Sequence, residues 1–181
     1  MAPATARALP HPRLTPARRG QRGRAAGSGG DHTAYPGRMP SSVIACPSCG
    51  TKNRLPLVAS GHPRCASCKA DLPWLVDAGD SDFDAVIETS ALVVVDLWAP
   101  WCGPCRMVAP VLETLSREFA GRVKVVKVNV DDSPVLAARY RAQSIPMLLL
   151  MDRGQVVDTM IGAQPAPILR NRITGALDRR G

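Results

Sequence analysis

Residues 92–105 read Leu92-Val93-Val94-Val95-Asp96-Leu97-Trp98-Ala99-Pro100-Trp101-Cys102-Gly103-Pro104-Cys105. Over Leu92 to Leu97 every side chain but Asp96 is apolar, which predicts a strand buried on both faces. Gly103 to Ala120 then carries Met107, Val108, Val111, Leu112, Leu115 and Phe119, the stripe of an amphipathic helix. The Cys-x-x-Cys pair therefore sits where a strand feeds a helix. Unpaired N–H groups at a helix N-terminus stabilise an anion, so Cys102 should ionise more readily than a free thiol. Two intervening residues bring Cys105 close enough to close a disulfide across the first turn. Cys102 can then attack a substrate disulfide, and Cys105 can resolve the mixed disulfide. Outside this context the pair would read as two inert thiols or half of a metal site.

Working outward, Phe83, Val86 and Ile87 recur at helical spacing after Asp80-Ser81, which reads as the helix start. Val123 to Val130 is a second Val-rich strand. Ser133 then looks like an N-cap with Pro134 at the first helical position, opening a helix to about Ala142. Pro146 to Met151 and Gln155 to Ile161, joined by Asp152-Arg153-Gly154, read as a β-hairpin. Pro165 starts a last helix with Leu169, Ile173, Ala176 and Leu177 facing inward. The order α-β-α-β-α-β-β-α predicts an α/β domain over residues 80–181, a mixed central sheet covered by helices on both sides.

Residues 41–76 form a different kind of segment, rich in turn residues and poor in apolar area. They hold Cys46-Pro47-Ser48-Cys49 and Cys65-Ala66-Ser67-Cys68, with 15 residues between the pairs. So short a segment needs a staple. C-x2-C-x15-C-x2-C is the spacing of a zinc ribbon, two knuckles presenting four thiolates to one tetrahedral ion. Two disulfides are the competing reading, and an iron site a further one. Gly50 and Lys69 follow the knuckles, where tight turns aim N–H groups at sulfur. His62, three residues before Cys65, reads as a loop histidine that could replace a ligand.

The string from Val95 to Cys105 resembles the thioredoxin family closely, over residues 80–180. With the four-cysteine segment and Asn53-Arg54-Leu55-Pro56 included, the chain is similar to the zinc-binding thioredoxin-2 type over about residues 43–180. The resemblance implies a thioredoxin fold and reduction of protein disulfides through a redox-active Cys102–Cys105 disulfide, with electrons from thioredoxin reductase. It implies a reducing potential on the order of −270 mV. A carboxylate buried like Asp96 should have a raised pKa; by resemblance it exchanges a proton with Cys105, paired with Lys127. Ile145-Pro146 matches the family's cis-proline, leaving the Ile145 backbone free to pair with an extended substrate. Gly162 matches the glycine that admits a substrate backbone. Trp101, Gly103 and Pro104 would frame Cys102, the first and last as an apolar lip. Three positions depart from the family. Met147 stands where Thr is usual, placing a thioether on the substrate face, and Leu97 and Met151 replace core aromatics.

The whole chain has 181 residues, is 45% hydrophobic and carries a formal charge of +8. Residues 1–38 hold seven arginines against one acid, Asp31, while the remainder is close to balanced. The basicity thus belongs to an Ala/Arg/Gly/Pro-rich tail (residues 1–40), expected to be disordered. Its composition also resembles a transit peptide, and Met39 offers an alternative start. No stretch reaches the ~18 apolar residues of a membrane span. The expected function is a cytoplasmic, monomeric protein-disulfide reductase that contacts neither nucleic acid nor membrane. The competing function is a zinc ribbon for partner binding or redox sensing, with the other domain as scaffold.

Overall fold

The computed structural model describes residues 43–180, so the expectations for the tail over 1–40 lie outside them. Two short strands, β1 (Val43–Ala45) and β2 (Lys52–Arg54), pair antiparallel with Ile44 opposite Asn53 and carry the first cysteine knuckle between them. Then follow β3 (Trp74–Asp77), α1 (Phe83–Ile87), β4 (Leu92–Trp98), α2 (Gly103–Glu118), β5 (Val123–Asn129), α3 (Pro134–Arg139), β6 (Met147–Asp152), β7 (Gln155–Ile161) and α4 (Ala166–Asp178). The five longer strands form one mixed sheet in the order β3-β5-β4-β6-β7. β3, β5 and β4 run parallel, and β6 and β7 complete the sheet antiparallel.

Why β4 is almost wholly apolar is now plain. Its alternate side chains enter two separate cores. Val93, Val95 and Leu97 pack with Phe83 and Val86 of α1, Leu136 of α3 and Met147, Leu149 and Met151 of β6. Leu92 and Val94 pack with Leu112 and Leu115 of α2 and Leu169 and Ile173 of α4. Helices therefore cover both faces, and aliphatic Leu97 and Met151 fill their sites completely, at 0% and 1% exposure.

Three details differ from the sequence reading. A boundary at residue 76 falls inside β3, which pairs with β5 at the sheet edge through Trp74 opposite Lys124. Four residues behind Pro73, in a stretch full of turn signals, carry too little periodicity to stand out. Asp80 does not open α1. Its carboxylate accepts the N–H groups of Val135 (3.0 Å) and Leu136 (2.9 Å), capping α3 from another loop. Ser133, at the N-cap of α3, makes no side-chain cap bond, and Asp82 takes the N-cap of α1.

The segment between the two knuckles lies against the larger sheet. Trp74 Nε1 donates to Pro56 O at 2.8 Å, and Ser90 donates to Ser60 O from its backbone (3.1 Å) and its hydroxyl (2.9 Å). Leu57 and Ala59 pack on the core under α1. Lys124 is fully buried, donates to Leu57 O and Val86 O, and lies 4.1 Å from the centre of the Trp74 ring.

Candidate functional site

Cys102 occupies the N-cap of α2, reached from β4 through Ala99-Pro100-Trp101, and its Sγ accepts the backbone N–H of Cys105 at 3.2 Å. Gly103 and Pro104 form the first helical positions, where proline's missing N–H has no cost. The two sulfurs are joined as a disulfide, with a Cα–Cα distance of 5.3 Å. Both cysteines are only 3% exposed and pack with Ala99, Trp98, Val130 and Ile145. Cys102 thus offers a client a narrow approach. The exposed surface beside it belongs to Trp101, at 67%, and to Pro104.

Trp101 is held by a group that sequence reading missed. Its Nε1 donates to Asp131 Oδ2 at 3.0 Å, from the turn after β5. Nothing in the local Asp131-Asp132 pair distinguishes it from an ordinary turn residue. Across the site the Ile145–Pro146 bond is cis. Pro146 is buried, Ile145 half-buried, and Pro146 O accepts the N–H of Gly162 at 2.8 Å. Gly162 has φ +82° and open space where a Cβ would sit. Met147 corrects an expectation: it is 7% exposed and belongs to the core with Phe83 and Leu136, so its thioether is not on a substrate face. Helices cover both faces of β6, so either face of the strand is interior, and Met147 enters the core shared by Leu149 and Met151.

Asp96 and Lys127 stand opposite each other in the β4–β5 register, with Nζ 2.6 Å from Oδ2. Asp96 is 1% exposed, and its Oδ1 has no hydrogen-bond partner. Burial pushes its pKa up, and the attraction of Lys127 offsets only part of that. The ammonium also lies 4.9 Å from the centre of the Trp98 ring. The pair is therefore a buried carboxylate–ammonium contact inside the sheet, with proton affinity raised above that of an ordinary carboxylate, beneath the strand end that leads to Cys102.

Upstream in the chain, the Sγ atoms of Cys46, Cys49, Cys65 and Cys68 lie within 4.8 Å of one another. Cys46–Cys68 and Cys49–Cys65 are each 3.6 Å apart, far from disulfide length. A tetrahedral ion with Zn–S bonds of ~2.3 Å needs sulfur–sulfur edges of about 3.8 Å. The four thiols are thus positioned to bind a metal ion. Gly50 and Lys69 turn with φ +73° and +63°, the left-handed conformation each knuckle needs. The sulfurs titrate as one coupled set: backbone N–H donation from Cys68 holds the Cys65 thiol down to about 6, while the Cys49, Cys46 and Cys65 sulfurs push the Cys68 thiol up against the Ala70 N–H. His62 is engaged elsewhere, 3.1 Å from Asp71.

Comparison with known proteins bears on the larger sheet. The family model for thioredoxin matches residues 74–175, so it includes β3. The chain is 53% identical over 95 residues to a thioredoxin of Haemophilus influenzae, spanning 52% of this chain and 89% of that one. It is 51% identical over 88 residues to thioredoxin 1 of Synechococcus elongatus (49% and 82%). It is 37% identical over 148 residues to the chloroplastic M-type thioredoxin of Spinacia oleracea (75% and 82%).

Proposed function

Because the chain belongs to the thioredoxin family and is a thiol–disulfide oxidoreductase, we propose a route for its electrons through named groups. In the reduced protein Cys102 attacks one sulfur of a client disulfide as the thiolate. That S–S bond breaks, the displaced client sulfur leaves as a thiolate and takes up a proton, and Cys102 is joined to the other sulfur. Cys105 then loses its proton to the Asp96 carboxylate and attacks Cys102 Sγ; the Cys102–client S–S bond breaks, and the second client sulfur leaves as a thiolate and takes up a proton as Asp96 returns its own to solvent. The client gains two electrons and two protons, and the protein closes the Cys102–Cys105 bond. Thioredoxin reductase returns it to the dithiol.

The observation that carries this reading is the disulfide closed on the first turn of α2, its Cys102 sulfur accepting the Cys105 backbone N–H. Lys127 tempers the carboxyl of Asp96 so that it can both take and return a proton. Trp101, Gly103, Pro104, Ile145, Pro146 and Gly162 bind the client, with the backbone of Ile145 pairing an extended segment. Asp131 keeps the Trp101 ring in place.

Cys46, Cys49, Cys65 and Cys68 hold Zn2+, which closes the small module that its own apolar residues cannot stabilise. A four-thiolate metal cluster in the same chain as a reducing dithiol suits the cytoplasm. The protein works as a monomer on disulfide-containing clients. A redox-sensing role for the module, supported by the exposure of Cys49 and Cys68, is compatible with this reductase activity.

Reductase-coupled reduction of insulin, with metal analysis on the same preparation, tests the proposal. The wild type turns over and carries one zinc, and Cys102→Ser does not turn over. Equal rates for the two would refute the electron route.

A further inference from the structure

The two knuckles repeat one backbone pattern. Cys46 and Cys65 donate their N–H groups to Thr51 O (2.9 Å) and Ala70 O (2.8 Å). Their carbonyls accept from Gly50 (2.9 Å) and Lys69 (3.1 Å). The next corresponding positions break the symmetry. Leu72 packs apolar against Cys46, Leu55 and Cys65, whereas its counterpart is Asn53, a polar side chain only 7% exposed.

All the polar atoms of that buried amide are used, and they bridge the knuckles. Nδ2 donates to Thr51 O at 2.6 Å, in the first knuckle, and reaches Cys65 Sγ at 3.6 Å, in the second. Sulfur is the larger acceptor, so that separation suits an N–H···S bond. Oδ1 accepts the backbone N–H of Ala66 at 2.9 Å. Leaving so buried an amide unpaired would be costly, so a position free to be apolar would be expected to resemble Leu72.

We propose that Asn53 is a positioning residue of the metal site: its carboxamide locks the second knuckle onto the first and donates a hydrogen bond to the Cys65 sulfur. An acceptor held this way keeps the sulfur aimed at the ion. Groups behind metal ligands act in this way generally, and their removal typically weakens metal binding about 10–100-fold. The inference rests on the reading of the four sulfurs as a zinc site.

Zn2+ affinity of the full chain, measured by competition with a chromophoric chelator, separates the possibilities. So does the rate at which the zinc-loaded chain yields its metal to the chelator. Asn53→Asp keeps an oxygen for the Ala66 N–H but loses the donor to sulfur and adds a repulsive charge. Asn53→Ala loses both. Both variants should bind Zn2+ about 10–100-fold more weakly and release it faster than the wild type. Wild-type affinity and release rate in Asn53→Asp would overturn the sulfur contact even if Asn53→Ala were weakened. Unchanged values in both would overturn the whole role. A wild-type chain that binds no Zn2+ would instead sink the metal reading on which the inference stands.

Discussion

Lys124 offers the sharpest test of the packing, because it is a cation at 0% exposure with no carboxylate among its hydrogen-bond partners. Burial lowers its pKa from the ordinary 10.5 to about 8. The unfolded chain keeps that lysine protonated to about pH 10.5, so between the two values it binds more protons than the folded one. Folded stability contributed at this position therefore rises with pH across that window. Linkage gives about 1.4 kcal/mol at pH 9 relative to pH 7 for a fully desolvated group, or about 1 kcal/mol after allowing for screening. The comparison to make is the wild type against Lys124→Met, by urea denaturation at pH 7, 8 and 9. Groups that titrate in both proteins cancel in the difference. The wild type should gain on the variant by about 1 kcal/mol over that range. Parallel profiles would refute the reasoning, and would mean that the carbonyls of Leu57 and Val86 and the Trp74 ring keep the ammonium charged.

Other outcomes follow from the site and the helix caps. Cys105→Ser should leave clients covalently attached to Cys102, seen as a mixed disulfide on a non-reducing gel. Asp96→Asn should slow turnover near neutral pH by about 10²-fold, read in the insulin assay, because the second proton transfer loses its acceptor. The raised Asp96 pKa means that the folded chain keeps this proton to higher pH than the unfolded one, so the stability contributed at this position should fall as pH rises above the ordinary carboxylate range. Asp96→Asn should flatten that fall. Asp80→Ala should cost about 1–2 kcal/mol by releasing two N–H groups of α3, whereas Ser133→Ala should stay within about 0.5 kcal/mol. Thermal unfolding distinguishes the pair.

Much of this molecule is local enough to be legible in its residues. The strand over Leu92–Trp98, the helix after Cys102 and the hairpin through Gly154 all follow from apolar period and turn chemistry, and the cysteine spacing foretells a four-sulfur cluster. What escaped the sequence is what depends on distant segments meeting. Asp80 reads locally as a helix start and serves another helix 55 residues away. Asp131 gains meaning only when Trp101 folds onto it. Met147, expected on the substrate face where the family usually has threonine, lies inside because helices cover both faces of its strand. Lys124 lies in a Val-rich strand with no local sign that carbonyls from two other segments would receive its ammonium. Trp74–Asp77 is too short for periodicity to mark it as an edge strand.

Residues 56–61 lie between the cysteine pairs in the chain, yet much of what they touch belongs to the other sheet. A shortened protein beginning at Trp74 would keep every group of the electron route. It would also strip Leu57 and Ala59 from the hydrophobic surface they shield, and deprive the Trp74 indole and Lys124 of their acceptors at Pro56 and Leu57. The upstream segment is thus less an appendage than the missing wall of the catalytic half, and trimming it should yield a stickier, less stable enzyme rather than a minimal one.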